Sequence, residues 1–118
     1  MPQPIVLVVE DEPFLRMDAV DIVESAGFAA IEAPHADAAI EILIARQDIA
    51  VVLTDIEMPG SMNGIGLAHA VRDGWPTIRV VVLSGRLHPK PQDLPAGVRF
   101  IAKPFRPAQI EEALRPAT

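Results

Sequence analysis

Val51-Val52-Leu53-Thr54-Asp55-Ile56-Glu57-Met58-Pro59 is the stretch on which the fold of this chain turns. An apolar, largely β-branched run climbs from Ile49, meets an acid at Asp55 and is broken four residues later by Pro59. Such a run, bounded by turn residues, predicts a strand buried on both faces that delivers a carboxylate to its C-terminal end. Open α/β sheets build their sites just outside the carboxyl ends of their strands. Asp55 is therefore a candidate reacting group, and acids, hydroxyls and cations at the other strand ends are the residues to look for.

On the N-terminal side, residues 5–9 form a continuous apolar run stopped by Glu10-Asp11-Glu12 and Pro13. This is the pattern of a buried parallel strand ending in an acidic loop, with Pro13 placed in the first turn of the following helix. Residues 14–26 carry apolar side chains at 15, 19, 22, 23 and 26, near helical spacing, and Gly27 ends them. A short second strand is expected over 28–31, with Glu32 at its exit. A helix then follows from Ala36, its sheet-facing positions at 36, 39, 40, 43 and 44 and Asp37 and Glu41 on the wet side.

Beyond Asp55, a loop over 56–63 leads into a helix over about 64–73 that stops before Gly74-Trp75-Pro76. A fourth strand over 78–83 ends at Ser84-Gly85, and a fifth over 98–102 ends at Lys103-Pro104. Between them, residues 86–97 contain Pro89, Pro91 and Pro95, which strip amide donors from any helix and limit it to a turn or two. Residues 107–115 place Ile110, Ala113 and Leu114 on one face of a last amphipathic helix. Strand and helix thus alternate five times, which implies a parallel sheet with right-handed crossovers and helices on both faces.

The composition bounds what this fold can do. A chain of 118 residues, half of them hydrophobic and with mean hydropathy +0.29, fits one domain with a real core, and the whole of 1–118 is read as that domain. The formal net charge of −6, without a Lys/Arg cluster, works against a nucleic-acid partner. Cysteine is absent, which excludes disulfides and thiolate metal sites. The six-residue apolar run 4–9 is far too short to span a bilayer, and Met1-Pro2-Gln3-Pro4 lacks a basic leader. The expectation is a cytoplasmic protein with no membrane contact. His35, His69 and His88 show no metal-ligand spacing and receive no role.

A parallel sheet of this order gathers Glu10, Asp11, Asp55, Ser84 and Lys103 on one edge. Converging carboxylates repel, and one of them tends to stay protonated unless a cation joins them. Two carboxylates, a backbone carbonyl and waters suit Mg²⁺, which prefers oxygen ligands shared with a phosphate. Lys103 adds a mobile positive charge, and Ser84 a hydroxyl beside Gly85, whose amide can approach closely. Together these groups are equipped to hold a phosphoryl group. Phosphoryl transfer depends on positioning and charge neutralisation, and a carboxylate such as Asp55 can be the nucleophile.

Glu10-Asp11 after the first strand, Asp55-x-x-Met58-Pro59 with the later Gly64, Ser84-Gly85 after the fourth strand and Lys103-Pro104-Phe105 after the fifth resemble the receiver domain of two-component response regulators. Four motifs in the right order at the right strand ends make the resemblance specific, and it covers essentially the whole chain. It implies a flavodoxin-like doubly wound sheet of strand order 2-1-3-4-5. It also implies that Asp55 accepts a phosphoryl group from a histidine kinase or a phosphotransfer protein. Mg²⁺ would be held by Asp11, Asp55 and the backbone carbonyl of Glu57, with Glu10 acting through water. Ser84, Gly85 and Lys103 would bind phosphoryl oxygens, Phe100 would switch, and the peptide bond before Pro104 is expected to be cis.

The chain departs from the family pattern in several places. The loop Pro59-Gly60-Ser61-Met62-Asn63-Gly64 is one residue longer than is common, with Asn63 where Asp is usual. Phe100 lacks the hydroxyl of a switching Tyr and can act only as a hydrophobic plug. The proline-rich 86–97 stands where a fourth helix is usual, so that helix is expected to be short or irregular. The chain stops with its last helix, which makes a stand-alone receiver the expectation, a monomer or weak dimer with an unnamed downstream protein target. Glu57 and Arg86 occupy the two positions that gate water in the family, and a pair between them across the site mouth would slow hydrolysis.

Three functions compete at this point. The leading one is a phosphorylation-controlled switch or a phosphate sink or shuttle, a phosphoacceptor and not a turnover enzyme. A phosphatase with an aspartyl nucleophile of the haloacid-dehalogenase type would need Asp-x-Asp on the first strand, whereas this acceptor is on the third. A phosphorylation-independent adaptor would keep the fold without needing Asp55, Ser84 and Lys103.

Overall fold

The computed structural model describes residues 3–85 and 89–115. Among these lie strands β1 (Ile5–Val9), β2 (Ala29–Ala33), β3 (Ile49–Asp55), β4 (Arg79–Ser84) and β5 (Arg99–Ala102), and helices α1 (Pro13–Ser25), α2 (Ala36–Ala45), α3 (Gly64–Gly74) and α4 (Pro107–Leu114). The strands form one parallel sheet in the order β2-β1-β3-β4-β5, the doubly wound arrangement expected from the sequence.

Alternation along each strand sends side chains to two separate cores. Leu7, Val9, Val52, Val80 and Val82 face α2 and α3, where Ala39, Leu43, Leu67 and Val71 close the layer. Val6, Val8, Val51, Leu53, Val81 and Leu83 face α1 and α4, against Val23, Ile110 and Leu114. The three inner strands are thus apolar at nearly every position because both of their faces are covered.

Each helix start has a local cause. The Glu12 carboxylate accepts the Leu15 amide at 2.8 Å and Pro13 supplies the first helical φ. His35, given no role above, caps α2 through Nδ1, which accepts the Ala38 amide at 3.1 Å. Asn63 caps α3, its Oδ1 accepting the Gly66 amide at 2.9 Å. Pro107 opens α4, and Gln109 Oε1 accepts the Arg106 amide at 2.7 Å.

Two helix faces differ from the sequence pattern. Leu15 is 47% exposed although its spacing assigns it to the core, because it lines an open cavity between α1 and the segment that follows β5. Ile44, in the last turn of α2, is 71% exposed because it stands at the margin of the face that Ala36, Ala39 and Leu43 bury, about 100° round the helix from Leu43. Strand ends also move: β2 runs on to Ala33, β3 includes Asp55 and β4 includes Ser84, since ladder pairing with neighbours extends each past its apolar run.

Among its described residues, 89–97, the proline-rich segment forms a single 3₁₀ turn, Pro91–Asp93, and no α-helix. It is fastened to α3 by polar contacts. His69 Nε2 lies 2.9 Å from the Asp93 carbonyl oxygen, and the Arg72 guanidinium donates to the carbonyl oxygen of Ala96. Leu94 and Val98 add apolar contacts to the α2–α3 core. Among the described residues no helix is long and apolar enough to cross a membrane.

Candidate functional site

Parallel register brings the chemistry to one edge. Val9 pairs with Thr54, Asp55 with Leu83 and Ser84 with Ala102, so the residues that follow β1, β4 and β5 surround Asp55. Main-chain bonds brace this rim: Ile56 N–H donates to Leu83 O at 2.9 Å and Lys103 N–H to Ser84 O at 2.8 Å. The Lys103-Pro104 peptide is cis.

Asp55 is 5% exposed, and Lys103 Nζ lies 2.7 Å from its Oδ2. Its Oδ1 accepts the Glu57 amide at 3.3 Å. Glu10, 7% exposed, stands behind this pair, its Oε1 3.9 Å from the same Lys103 Nζ and its Oε2 accepting the Glu12 amide at 3.0 Å. Burial pushes the Glu10 carboxyl up from 4.5 to about 8, with the Asp55 charge adding to the shift and the Glu12 amide opposing it. Lys103 Nζ sits closer to Asp55, at 2.7 Å, than to Glu10, at 3.9 Å. The expected crowding of carboxylates is therefore concentrated on Glu10, with Lys103 pairing chiefly with Asp55.

Ser84 is fully buried, and its hydroxyl donates to Glu57 Oε1 at 2.8 Å. Gly85 is exposed and lies alongside Lys103; a Cβ there would stand 3.6 Å from the lysine side chain, so steric fit does not demand glycine. Asp11 is exposed at the start of the acidic loop. Phe100 is half-buried against the α2–α3 core, one strand away from Val82. Arg86 and its pairing with Glu57 lie outside the described residues.

Gly64 has a clear steric cause. A Cβ at this position would stand 2.1 Å from the Asp55 carbonyl oxygen, so only glycine lets the first turn of α3 rest on the end of β3. The Gly64 amide also donates to Ile56 O at 3.0 Å, which pins the longer loop back onto the acid. At the loop tip, Ser61 Oγ donates to the Asp37 carboxylate at 2.9 Å, and Gly60 turns the chain with φ +107°.

One feature has no contiguous signature in the sequence. A cavity of about 470 Å³ opens beside Asp55 between α1 and the β5–α4 connection, lined by Leu15, Asp18, Ile22, Lys103, Pro104 and Phe105. The exposed Leu15 is the residue whose misfit with the helical core pattern signals it.

Chemically, the rim offers a buried carboxylate, an ammonium in contact with it, a second carboxyl held toward its neutral form and a buried hydroxyl. Among the described residues, no three acidic or imidazole side chains stand close enough together to enclose a metal ion as they are placed.

The profile of the response regulator receiver domain matches residues 6–115. The chain belongs to the response regulator receiver domain family, and it is a CheY-like receiver of two-component signalling. It is 37% identical over 114 residues to the chemotaxis protein CheY of Thermotoga maritima, covering 92% of each. It is 34% identical over 121 residues to the hydrogenase transcriptional regulatory protein HoxA of Cupriavidus necator, covering 98% of this chain but 24% of that protein. The chain therefore spans only about a quarter of the length of this second relative. Among solved structures, a response regulator receiver protein from Sinorhizobium medicae superposes with TM-score 0.86 at 27% identity, covering 95% of this chain and 91% of that one. The response regulator TrrA of Thermotoga maritima, solved in complex with Mg²⁺-BeF, shares the fold at TM-score 0.80 and 22% identity, over 95% of each chain.

Proposed function

We propose that Asp55 is a phosphoacceptor that takes its phosphoryl group from a phosphohistidine on a kinase or phosphotransfer protein. The observation that supports this best is the buried Asp55 carboxylate in contact with Lys103 Nζ at 2.7 Å, on the open rim of a receiver fold. In the transfer, an Asp55 oxygen attacks phosphorus, the phosphorus–nitrogen bond breaks, and the imidazole leaves with the electron pair. The product is an acyl phosphate on Asp55.

The side chains divide the work of stabilising the charge that spreads over the phosphoryl oxygens. Lys103 moves its ammonium from the free carboxylate to a phosphoryl oxygen. Ser84 donates its hydroxyl to another. By donor type Glu10, Asp11, Asp55 and the Glu57 carbonyl suit a hard divalent cation, which would have to draw the acids closer than they stand, and the raised Glu10 carboxyl is the kind of crowding that such an ion relieves. Bound there, Mg²⁺ would supply charge neutralisation and orientation. The Mg²⁺-BeF complex of TrrA is consistent with that assignment.

The functional output is a shift between two conformations and not turnover of a substrate, with Ser84 and Phe100 drawn toward the phosphoryl group and a partner surface altered. Incubation with acetyl phosphate and Mg²⁺, followed by mass spectrometry, tests this reading. One hydroxylamine-labile phosphoryl group is expected on Asp55, and its persistence in Asp55→Asn refutes the site.

A further inference from the structure

We infer that Glu57 is a latch on Ser84, a positioning residue that occupies the phosphoryl-binding hydroxyl until Asp55 is phosphorylated. This rests on the proposed role of Asp55 and Ser84 and adds a competitor for the same group. The Ser84 hydroxyl is fully buried and donates to Glu57 Oε1 at 2.8 Å. A serine hydroxyl has a single proton to give. It cannot serve the Glu57 carboxylate and a phosphoryl oxygen at once, so the two uses exclude each other whatever else either side chain touches.

The placement of Glu57 makes the competition local. Its amide is bound to Asp55 Oδ1 at 3.3 Å, and its side chain reaches across to the end of β4. One residue thereby touches both the acceptor carboxylate and the hydroxyl meant for the transferred group. A hydrogen bond to an ionised partner is among the stronger kinds, so releasing Ser84 sets a real threshold on reaching the phosphorylated conformation. The latch gives the protein a resting bias that a side chain without an acceptor at this position would remove and a neutral acceptor would weaken.

The test is a double-mutant cycle read by calorimetric titration with beryllofluoride in Mg²⁺, a stand-in for the phosphoryl group. Glu57→Ala is expected to tighten beryllofluoride binding about tenfold where Ser84 is present, the range of a hydrogen bond to a charged group. In a Ser84→Ala background the same change leaves only the effect of removing a negative charge near an anion, about two- to threefold, as for an exposed charge pair. Glu57→Gln, which keeps an oxygen acceptor without the charge, falls between wild type and Glu57→Ala. As a readout independent of the bound anion, Glu57→Ala shifts the Ser84 amide resonance in the unliganded protein. An equal factor in the two backgrounds, or a weakening by Glu57→Ala, overturns the latch. If wild type itself takes up no beryllofluoride, the phosphoacceptor reading fails and the latch with it; wild-type binding with equal factors removes the latch alone.

Discussion

Lys103 Nζ and Asp55 Oδ2 lie 2.7 Å apart at the ends of β5 and β3, across the end of β4 between them, although 48 residues of chain separate them. Asp55 is brought there by the apolar run of β3, and Lys103 by the short β5. The ion pair is an outcome of parallel register, and it presents an ammonium to the carboxylate that the proposed chemistry uses.

Lys103→Met therefore removes a donor poised for the developing charge while leaving the β5 turn and its apolar stem. Loss of one preorganised donor is expected to slow labelling of Asp55 by acetyl phosphate about 10²-fold. Initial rates under fixed Mg²⁺ measure it. An unchanged rate would remove Lys103 from the phosphoryl site.

Glu10 makes stability depend on pH. Its carboxyl is raised from 4.5 to about 8 in the folded chain, so the folded state binds the proton more tightly than the unfolded state. Its contribution is fully present below pH 4.5 and is lost as pH rises through about 8. Urea melts in chelator are expected to give a lower midpoint at pH 8.5 than at pH 5.5, with Glu10→Gln flattening the difference. Added Mg²⁺ should raise the wild-type midpoint at the higher pH, because a ligand that binds only the folded state stabilises it.

Gly64→Ala places a methyl group 2.1 Å from the Asp55 carbonyl oxygen, a backbone atom that cannot step aside. The expected cost is about 1–3 kcal/mol, with displacement of the 56–63 loop. Gly66→Ala is a matched control, because the close contact its Cβ makes is with the flexible Met62 side chain, with Asn63 Oδ1 at an ordinary 3.8 Å. Chemical denaturation separates the two.

Asn63 stands where the family usually has Asp, and its Oδ1 still holds the Gly66 amide at 2.9 Å. Asn63→Asp is expected to leave stability nearly unchanged, whereas Asn63→Ala loses about 1 kcal/mol as the cap disappears. Thermal melts of the two variants check this.

Much of the fold is legible in the chain because β1, β3 and β4 are covered on both faces and read as unbroken apolar runs, each ended by a residue of the rim. Glu10, Asp55 and Ser84 are locatable for that reason, and Lys103 by the Lys-Pro step that ends the short run 98–102. The side-chain partners are not. Glu57 was expected at the site mouth, facing Arg86; a hydrogen bond from Ser84 to Glu57 depends on the rotamers of residues 27 positions apart, which no local pattern encodes. Leu15 and Ile44 keep helical spacing yet lie outside the core, because periodicity reports which side of a helix is apolar and not how far the packed face reaches or where a cavity opens beside it. The roles of His35 and Arg72 were invisible for a related cause: one caps through a ring nitrogen and the other clasps a carbonyl in the proline-rich segment, and neither act leaves a spacing.

The most direct test of the account is phosphotransfer from a phosphorylated histidine kinase to wild type and to Asp55→Asn, followed by peptide mapping. The account predicts Mg²⁺-dependent loss of label from the kinase and its appearance on the peptide containing Asp55 in wild type alone. Label on the Asp55→Asn protein at the wild-type rate, or on a peptide that lacks residue 55, would contradict it.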